Sequence, residues 1–540
     1  MNKIIAFLLV FYFSLTARAQ STYYVNDLSQ VGDVYTSAIG NNGNLGTAAS
    51  PFKTLQKALD VAGDNDTIYI DVGLYNQGGF ASSDPDKNMT ITENGLVIIG
   101  AGSDLSVYQN PGGTSNWIKI DADNVTLIGL AATEYVGTSG QGKALTILTG
   151  STGIILDGIL LTGNQAPGES ALQIDGNTSV IIRNSAFTCN LLGASYGGGV
   201  SIGNWNYTIG TPVNNVTVDF ENCSIASNTR SDWYGAGVAI YGDATVDVSF
   251  TDCSFSESSA KAGGAIHLAG GANVNLFNSC FYDNLSTQTF GSDPGGAAIN
   301  INNGNVNASN CTFTNNTAAA GEGGAIFVSA LGTLVLDSCD FAGNASSRGT
   351  GLDIFSRGTV TLLDNNINSI EVNSGSFTLS YSGTPTSVVG LVTYIDNNAP
   401  RVAAATNCPL PVGVCIAPPP CVNPTPAGDA SQEFCTLDNP TIANLNATTA
   451  GTLVWYDAAT NGTAYTDLTN SLVDGQTYYA IDETVGCDAS SSFQVIVNID
   501  DPGNAGTAGN LTVCQGTAPT DAELFTALNG TPTAGGTWTN

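Results

Sequence analysis

The residues SFTDCSFSESSAKAGGAIHL, 249–268, decide the reading of this chain. They hold a short apolar strand, a polar step ending in Cys253, an aromatic at Phe255, a polar loop, and a Gly-rich step into another strand. The phrase recurs on both sides. IIRNSAFTCN (181–190) leads into GGGVSI (197–202), and DFENCSIASN (219–228) into GAGVAI (235–240). FNSCFYDN (277–284) leads into GGAAINI (295–301), ASNCTFTNN (308–316) into GGAIFV (323–328), and LDSCDFAGN (336–344) into GTGLDI (349–354). The typical copy has an aromatic or Ile followed three residues on by Asn. Cys223, Cys253, Cys280, Cys311 and Cys339 mark the beat, with gaps of 30, 27, 31 and 28 residues. A sustained period of this size is the mark of a solenoid. Runs such as Val248-Ser249-Phe250 and Val306-Asn307-Ala308 alternate apolar and polar residues, which is strand periodicity. Gly and Asn stand at the corners, where φ is often positive. The expected class is therefore all-β, with coils stacked because one coil cannot bury its own apolar face.

Stacking would align the five beat cysteines as an inward ladder and the Asn of each phrase as a second ladder at a turn. Ladder Cα atoms about 4.8 Å apart are within nominal disulfide reach, but parallel Cβ vectors give a poor S–S dihedral. The five are read as buried, reduced thiols that serve packing. The repeats resemble the right-handed parallel β-helix (pectin-lyase-like) superfamily. The paired GGAI and FxxN phrases are also similar to repeats of polymorphic outer-membrane protein adhesins. The resemblance spans roughly residues 21–400. It implies a fold that hosts lyases, hydrolases, adhesins and inert stalks alike.

Composition narrows the partners. Acids outnumber bases 45 to 13, for a net charge of −32. That argues against nucleic acid and anionic membrane, and fits a self-repelling, monomeric surface. Residues 1–19 read as a signal peptide: Lys3, the apolar run Ile4–Leu15, and Ala17-Arg18-Ala19 before Gln20. No later run approaches the roughly 18 apolar residues of a membrane span. A secreted or cell-surface protein is expected.

Along the chain, SPFKTLQKALDVAG (50–63) predicts a capping helix near 51–62, with Ser50 as cap and Leu55, Ala58, Leu59 and Ala62 on one face. It would cover the open end of a β-helix spanning 20–398. Residues 399–421 turn to Pro, Ala and Cys and read as a linker, in which Cys408 and Cys415 could close a loop and leave Cys421 without an obvious partner. TLVWYDA, QTYYAIDE and FQVIVNI within 422–499 are strands separated by turns at Asn461-Gly462 and Asp474-Gly475. This module resembles the Ig-like repeats of secreted proteins of gliding, type IX-secreting bacteria. That resemblance implies a β-sandwich with a Cys435–Cys487 disulfide. A second copy starts in 500–540 with AGNLTVCQGTAPT, stops before completion and leaves Cys514 without its partner, so a longer protein is expected.

Catalytic β-helices of the resembled superfamily cluster acids with His, Arg or Lys around acidic polysaccharides. No Gly-His-Gly, Asn-Thr-Asp or Arg-Ile-Lys phrase occurs, and the one Asp-Asp pair, Asp500-Asp501, lies in the Ig-like part. His267 is expected to point outward beside Ala239 and Asn300 as an incidental surface residue. Arg183 beside Glu221 reads as a surface ion pair. In the loops near the Gly-rich steps stand Tyr196, Trp205, Tyr207, Trp233 and Tyr234, with Asp232, Arg230 and Lys261 on the same edge. Such rings in neighbouring coils would form an exposed strip for sugar stacking. Acids at Asp84, Asp86, Asp293 and Glu322 are scattered, so calcium is conceivable without a committed site and no other cofactor is indicated. A non-catalytic adhesin or glycan binder is the first expectation. A polysaccharide lyase or hydrolase is the second, and a structural spacer the third.

Overall fold

The computed structural model describes residues 20–76, 86–110, 115–135, 144–166, 170–192, 198–203, 215–230, 234–287, 295–347, 351–363, 365, 367, 369–372, 377–381, 387–389 and 393–396, then 425–449, 453–459, 462–482, 491–500, 506–511 and 518–533. The chain divides into two compact units, Met1–Pro419 and Pro420–Asn540.

The first unit is a parallel β-solenoid. One coil shows the pattern: Ile266–Ala269 and Asn273–Phe277 lie in a long sheet, Cys280–Tyr282 in a second sheet, and Leu285–Ser286 in a third. The next coil places Ile299–Ser309 unbroken against both long-sheet strands, all parallel. Corners ahead of the second sheet take left-handed backbone at Asn184, Asn222, Asp252, Asn278, Asn310 and Ser338. Asn and Asp enter that region at lower cost than other L residues, which is why they recur there.

Inside, identical positions stack along the axis. Phe255, Phe281, Phe313 and Phe341 form a column with ring centroids 4.6, 4.8 and 4.6 Å apart. Three residues after this inward position, Phe or an aliphatic residue, comes the expected amide ladder. Asn164 donates to Asn190 Oδ1 (3.1 Å), which donates to Asn228 Oδ1 (3.0 Å). Asn284 donates to Asn316 (3.0 Å), and Asn316 to Asn344 (3.0 Å). Each Nδ2 also reaches a main-chain carbonyl, such as Phe255 O from Asn284 (3.0 Å). The polar row is thus satisfied within the wall, as burial requires. Ser258 interrupts it between Asn228 and Asn284.

The thiol ladder differs from the expectation at one rung. Register pairs Ser224 with Ser254, Ser254 with Cys280, and Cys280 with Thr312. The inward row therefore runs Ser185, Cys223, Cys253, Ser279, Cys311, Cys339, and Cys280 stands one place further on, facing out. Ser279 takes the thiol's place by donating to Phe250 O (3.3 Å) and Phe277 O (3.0 Å), much as Cys253 Sγ does to Phe220 O (3.7 Å) and Thr251 O (3.3 Å). Cys223, Cys253, Cys311 and Cys339 are buried free thiols. Burial, then the neighbouring Cys223, pushes the Cys253 thiol well up; burial and Cys311 do the same to Cys339.

The N-terminal helix is shorter than its sequence suggests. It spans Leu55–Leu59, with Thr54 rather than Ser50 as cap, its side chain accepting from Lys57 N. Residues 50–52 are held extended instead: Phe52 N donates to Tyr24 O (2.8 Å), and Asn26 N to Phe52 O (2.9 Å). Leu55, Ala58 and Leu59 are buried.

In the second unit, a four-stranded sheet is ordered Ser431–Cys435, Phe493–Asp500, Thr477–Asp482, Leu453–Tyr456. Trp455, Tyr478, Ala480, Val495 and Val497 form its core with Ile442, Leu445 and Leu472. One sheet, not the two of a sandwich, appears among the described residues. Cys435 is a free thiol at the end of its strand rather than half of the expected disulfide; Cys487 lies outside the described residues, as do Cys408, Cys415, Cys421 and Cys514. Further on, a helix spans Asp521–Ala527, closed by a Thr520–Glu523 capping box. No helix among the described residues is long and apolar enough to cross a membrane.

Candidate functional site

Two outer surfaces of the long sheet carry side chains of chemical interest. The first follows the strand after each Gly-rich step. Val238–Tyr241 pairs with Ile266–Ala269, which sets Ala239, His267 and Asn300 side by side, with Phe327 and Phe355 on the next coils. These side chains point away from the core because their neighbours Ile240 and Leu268 point in. They are nonetheless buried, His267 being 3% exposed.

The cover comes from their own surroundings. Tyr234 stacks on His267 with centroids 4.9 Å apart, and Tyr241 tilts toward it at 5.9 Å. Burial, then the Arg230 charge, lowers the His267 pKa from 6.5 to about 3, against a smaller opposing pull from Asn300. The imidazole is therefore neutral at physiological pH, and its Nδ1 has no hydrogen-bond partner. His267 is thus not a surface residue as the sequence suggests. Arg230 is only 1% exposed and donates Nη1–H to Tyr234 O (3.2 Å). It does not present its guanidinium to solvent as the sequence suggests. Further along, Arg357 lies over Phe327 (5.7 Å) and Phe355 (5.5 Å) and pairs with buried Glu322 (3.1 Å).

Of the predicted aromatic strip, Tyr234 and Lys261 are half-buried, whereas Tyr196, Trp205, Tyr207, Asp232 and Trp233 lie outside the described residues. The structure thus brings Arg230 and Tyr234 together and adds His267 and Tyr241. Nothing in GGAIHLAG says that a ring from the preceding coil will lie over His267. The signal was Tyr234 itself, at the foot of the preceding Gly-rich step.

The second surface follows the next strand of each coil and is open. Thr217, Asp247, Asn273 and Asn305 make one row, Asp219, Ser249, Asn275 and Asn307 another. Asn305 donates to Asn273 Oδ1 (2.9 Å), which donates to Asp247 (2.8 Å); Asn307 donates to Asn275 Oδ1 (3.1 Å). Phe277 stands at the edge of this flat amide array, 45% exposed. At its far end Arg183 is in register with Glu221, as expected, but its ion pair is with Asp157 on the other side (2.8 Å). Asn184 holds the other oxygen of that carboxylate (2.9 Å).

Among the described residues no group of three or more His, Cys, Asp or Glu is placed to hold a metal ion. Asp86 is committed to Gln56 N (2.8 Å) and Glu322 to Arg357. Asp84 and Asp293 lie outside the described residues.

Comparison with known proteins concerns the solenoid. The chain is similar over 66% of its length, at 12% identity and a TM-score of 0.37, to 79% of pectate lyase Pel9A. It is similar over 87% of its length to 76% of a Geobacillus virus E2 protein, ORF18, at 13% identity and a TM-score of 0.39. The Acinetobacter phage vb_AbaP_AS12 gp42 tailspike matches over 90% of this chain and 84% of its own, at 11% identity and a TM-score of 0.36. These are distant likenesses, and no curated protein matches the chain. A family model, right handed beta helix region, matches residues 170–367. With the described strands of that stretch all paired in parallel, the first unit carries a right-handed parallel β-helix.

Proposed function

We propose that this chain is an extracellular, glycan-binding β-helix that holds its ligand without cleaving it. The open array around Phe277 carries the reading. Sugars present C–H faces to aromatic rings and hydroxyls to amides, and both are supplied here on one flat surface. The Asn rows fix one another, so less side-chain freedom is lost when a ligand lands. The net charge of −32 favours a neutral glycan over a polyuronate. The aromatic loop set Trp205, Tyr207, Trp233 and Tyr234 belongs to the same reading as a second contact, export through residues 1–19 as its route, and an Ig-like 422–499 module as a surface companion.

A lyase or hydrolase is the second reading, favoured by Arg230 packed against a neutral His267. An imidazole with a pKa of about 3 is a feeble base, which is why this reading comes second. The test is chain-length analysis of acidic and neutral polysaccharides incubated with the protein and calcium, beside a glycan-array measurement. Unchanged chains, with binding weakened on the order of tenfold by Phe277→Ala or by Trp205→Ala with Trp233→Ala, support the binder (about 1.4 kcal/mol per tenfold). Shortened chains whose appearance needs His267 would replace it with the enzyme.

A further inference from the structure

We propose that the inward thiol row holds two soft-metal sites, Cys223 with Cys253 and Cys311 with Cys339, each taking one divalent thiophilic cation in line between its two sulfurs. Register makes the pairs. Ser254 N donates to Cys223 O (2.9 Å) and Asp340 N to Cys311 O (2.9 Å), so in each pair the second cysteine stands directly on the next coil. Residues without sulfur close the row on either side of each pair. Ser185 and Ser279 flank the first; Ser279 and Asn365 flank the second. Each site therefore takes two sulfurs from the row. Cys223 is 1% exposed and the other three 0%.

The spacing suits a cation. Stacked coils set neighbouring positions about 4.8 Å apart with their Cβ vectors parallel, which opposes a disulfide. Two metal–sulfur bonds in line, at about 2.3 Å each as in a zinc thiolate, span nearly that distance. Main-chain donors are already aimed at the sulfurs. The N–H of Cys223 reaches the Cys253 thiol, and the N–H groups of Cys311 and Asp337 reach that of Cys339. Such donors orient a thiolate ligand and stabilise its charge.

Charge and ligand number choose the ion. Two thiolates and one divalent ion sum to zero, which an apolar interior accepts. A monovalent ion would leave one uncompensated negative charge there. Two sulfurs in line suit a soft ion such as Hg2+, whereas Zn2+ takes four ligands and Ca2+ takes oxygens. On binding, both S–H bonds break and two metal–sulfur bonds form. Two protons pass to water, and nothing is oxidised or reduced. Burial pushes the Cys253 and Cys339 thiols well up, so uptake strengthens as pH rises.

The test uses Hg2+ on the full chain. Brief alkylation of the native protein first blocks the accessible thiols, Cys435 among them, and a long incubation with the ion follows. Two ions per folded chain are expected, each with the mercury NMR shift of a two-coordinate dithiolate and each releasing two protons. Cys253→Ser and Cys339→Ser should each remove one of those two signals, and the double variant both. These substitutions are mild, because Ser279 already stands in the same row and donates to the equivalent carbonyls, Phe250 O and Phe277 O. No uptake by the folded chain, a signal from three or four ligands, or two dithiolate ions still held by the double variant would overturn the proposal.

Discussion

Tyr234 lies over His267 with ring centroids 4.9 Å apart and planes 21° from parallel. The contact joins neighbouring coils outside the core, and it closes the imidazole away from the water that would otherwise support its charge.

A pH signature follows from that closure. The folded His267 titrates at about 3, the unfolded one near 6.5. The unfolded chain therefore takes up the proton first. Stability is fully present above pH 6.5 and is lost as pH falls toward 3. Wild-type protein should lose stability relative to His267→Gln by up to about 1.4 kcal/mol per pH unit in that window. Paired thermal melts across it measure this. A difference independent of pH would show that the imidazole is not excluded from solvent.

The amide ladder predicts opposite effects at two neighbouring rungs. Asn284→Ala removes donors to Phe255 O and Asn316 Oδ1 and should cost about 2–4 kcal/mol, since buried partners are left unpaired. Ser258→Asn places an amide where Asn228 and Asn284 already flank the gap, and should add about 1 kcal/mol. Denaturant melts of the two variants decide it. Destabilisation by Ser258→Asn would mean that the corner is too tight for the larger side chain.

Within the ring column, Phe313→Ala should cost about 3–5 kcal/mol, because Phe281 and Phe341 on either side cannot close the void. Phe313→Leu should cost less than half as much. Equal losses would point to ring stacking, rather than volume, as the dominant contribution.

Thiol accessibility should separate the cysteines cleanly. In native protein Cys435, half-buried, should alkylate readily, whereas Cys223, Cys253, Cys311 and Cys339 should react only after unfolding. Mass mapping after brief iodoacetamide treatment reads this directly. Alkylation of Cys253 in the native state would show that the coils open locally.

Much of the solenoid is legible in the repeats, because each rung solves the same packing problem with the same residues. Spacing from aromatic to Asn is the reliable ruler: Phe281 to Asn284 matches Phe313 to Asn316 and Phe341 to Asn344. By that ruler Cys280, directly before its Phe, is one place out of line with Cys253, which stands two before Phe255. Counting from cysteine to cysteine hid the shift, since a Ser hydroxyl satisfies the same carbonyls as a thiol. The capping helix starts later than its sequence suggests: Ser50-Pro51 reads as a helix start locally, but the main-chain bond from Phe52 N to Tyr24 O, distant in sequence, holds the segment extended. The site was less legible still. The burial of Arg230 and His267 depends on which loop residue of one coil overhangs the next, and no periodicity encodes that.

Ser258 also bears on how the molecule would respond to mechanical load. Tension along the solenoid axis loads the inter-coil hydrogen bonds in series, so the weakest rung gives way before the rest. The amide row is continuous from Asn164 to Asn228 and again from Asn284 to Asn344, with the break between them at Ser258. Rupture should begin there and leave two shorter springs, each paying out one coil at a time. A coil of roughly 30 residues releases on the order of 100 Å of chain.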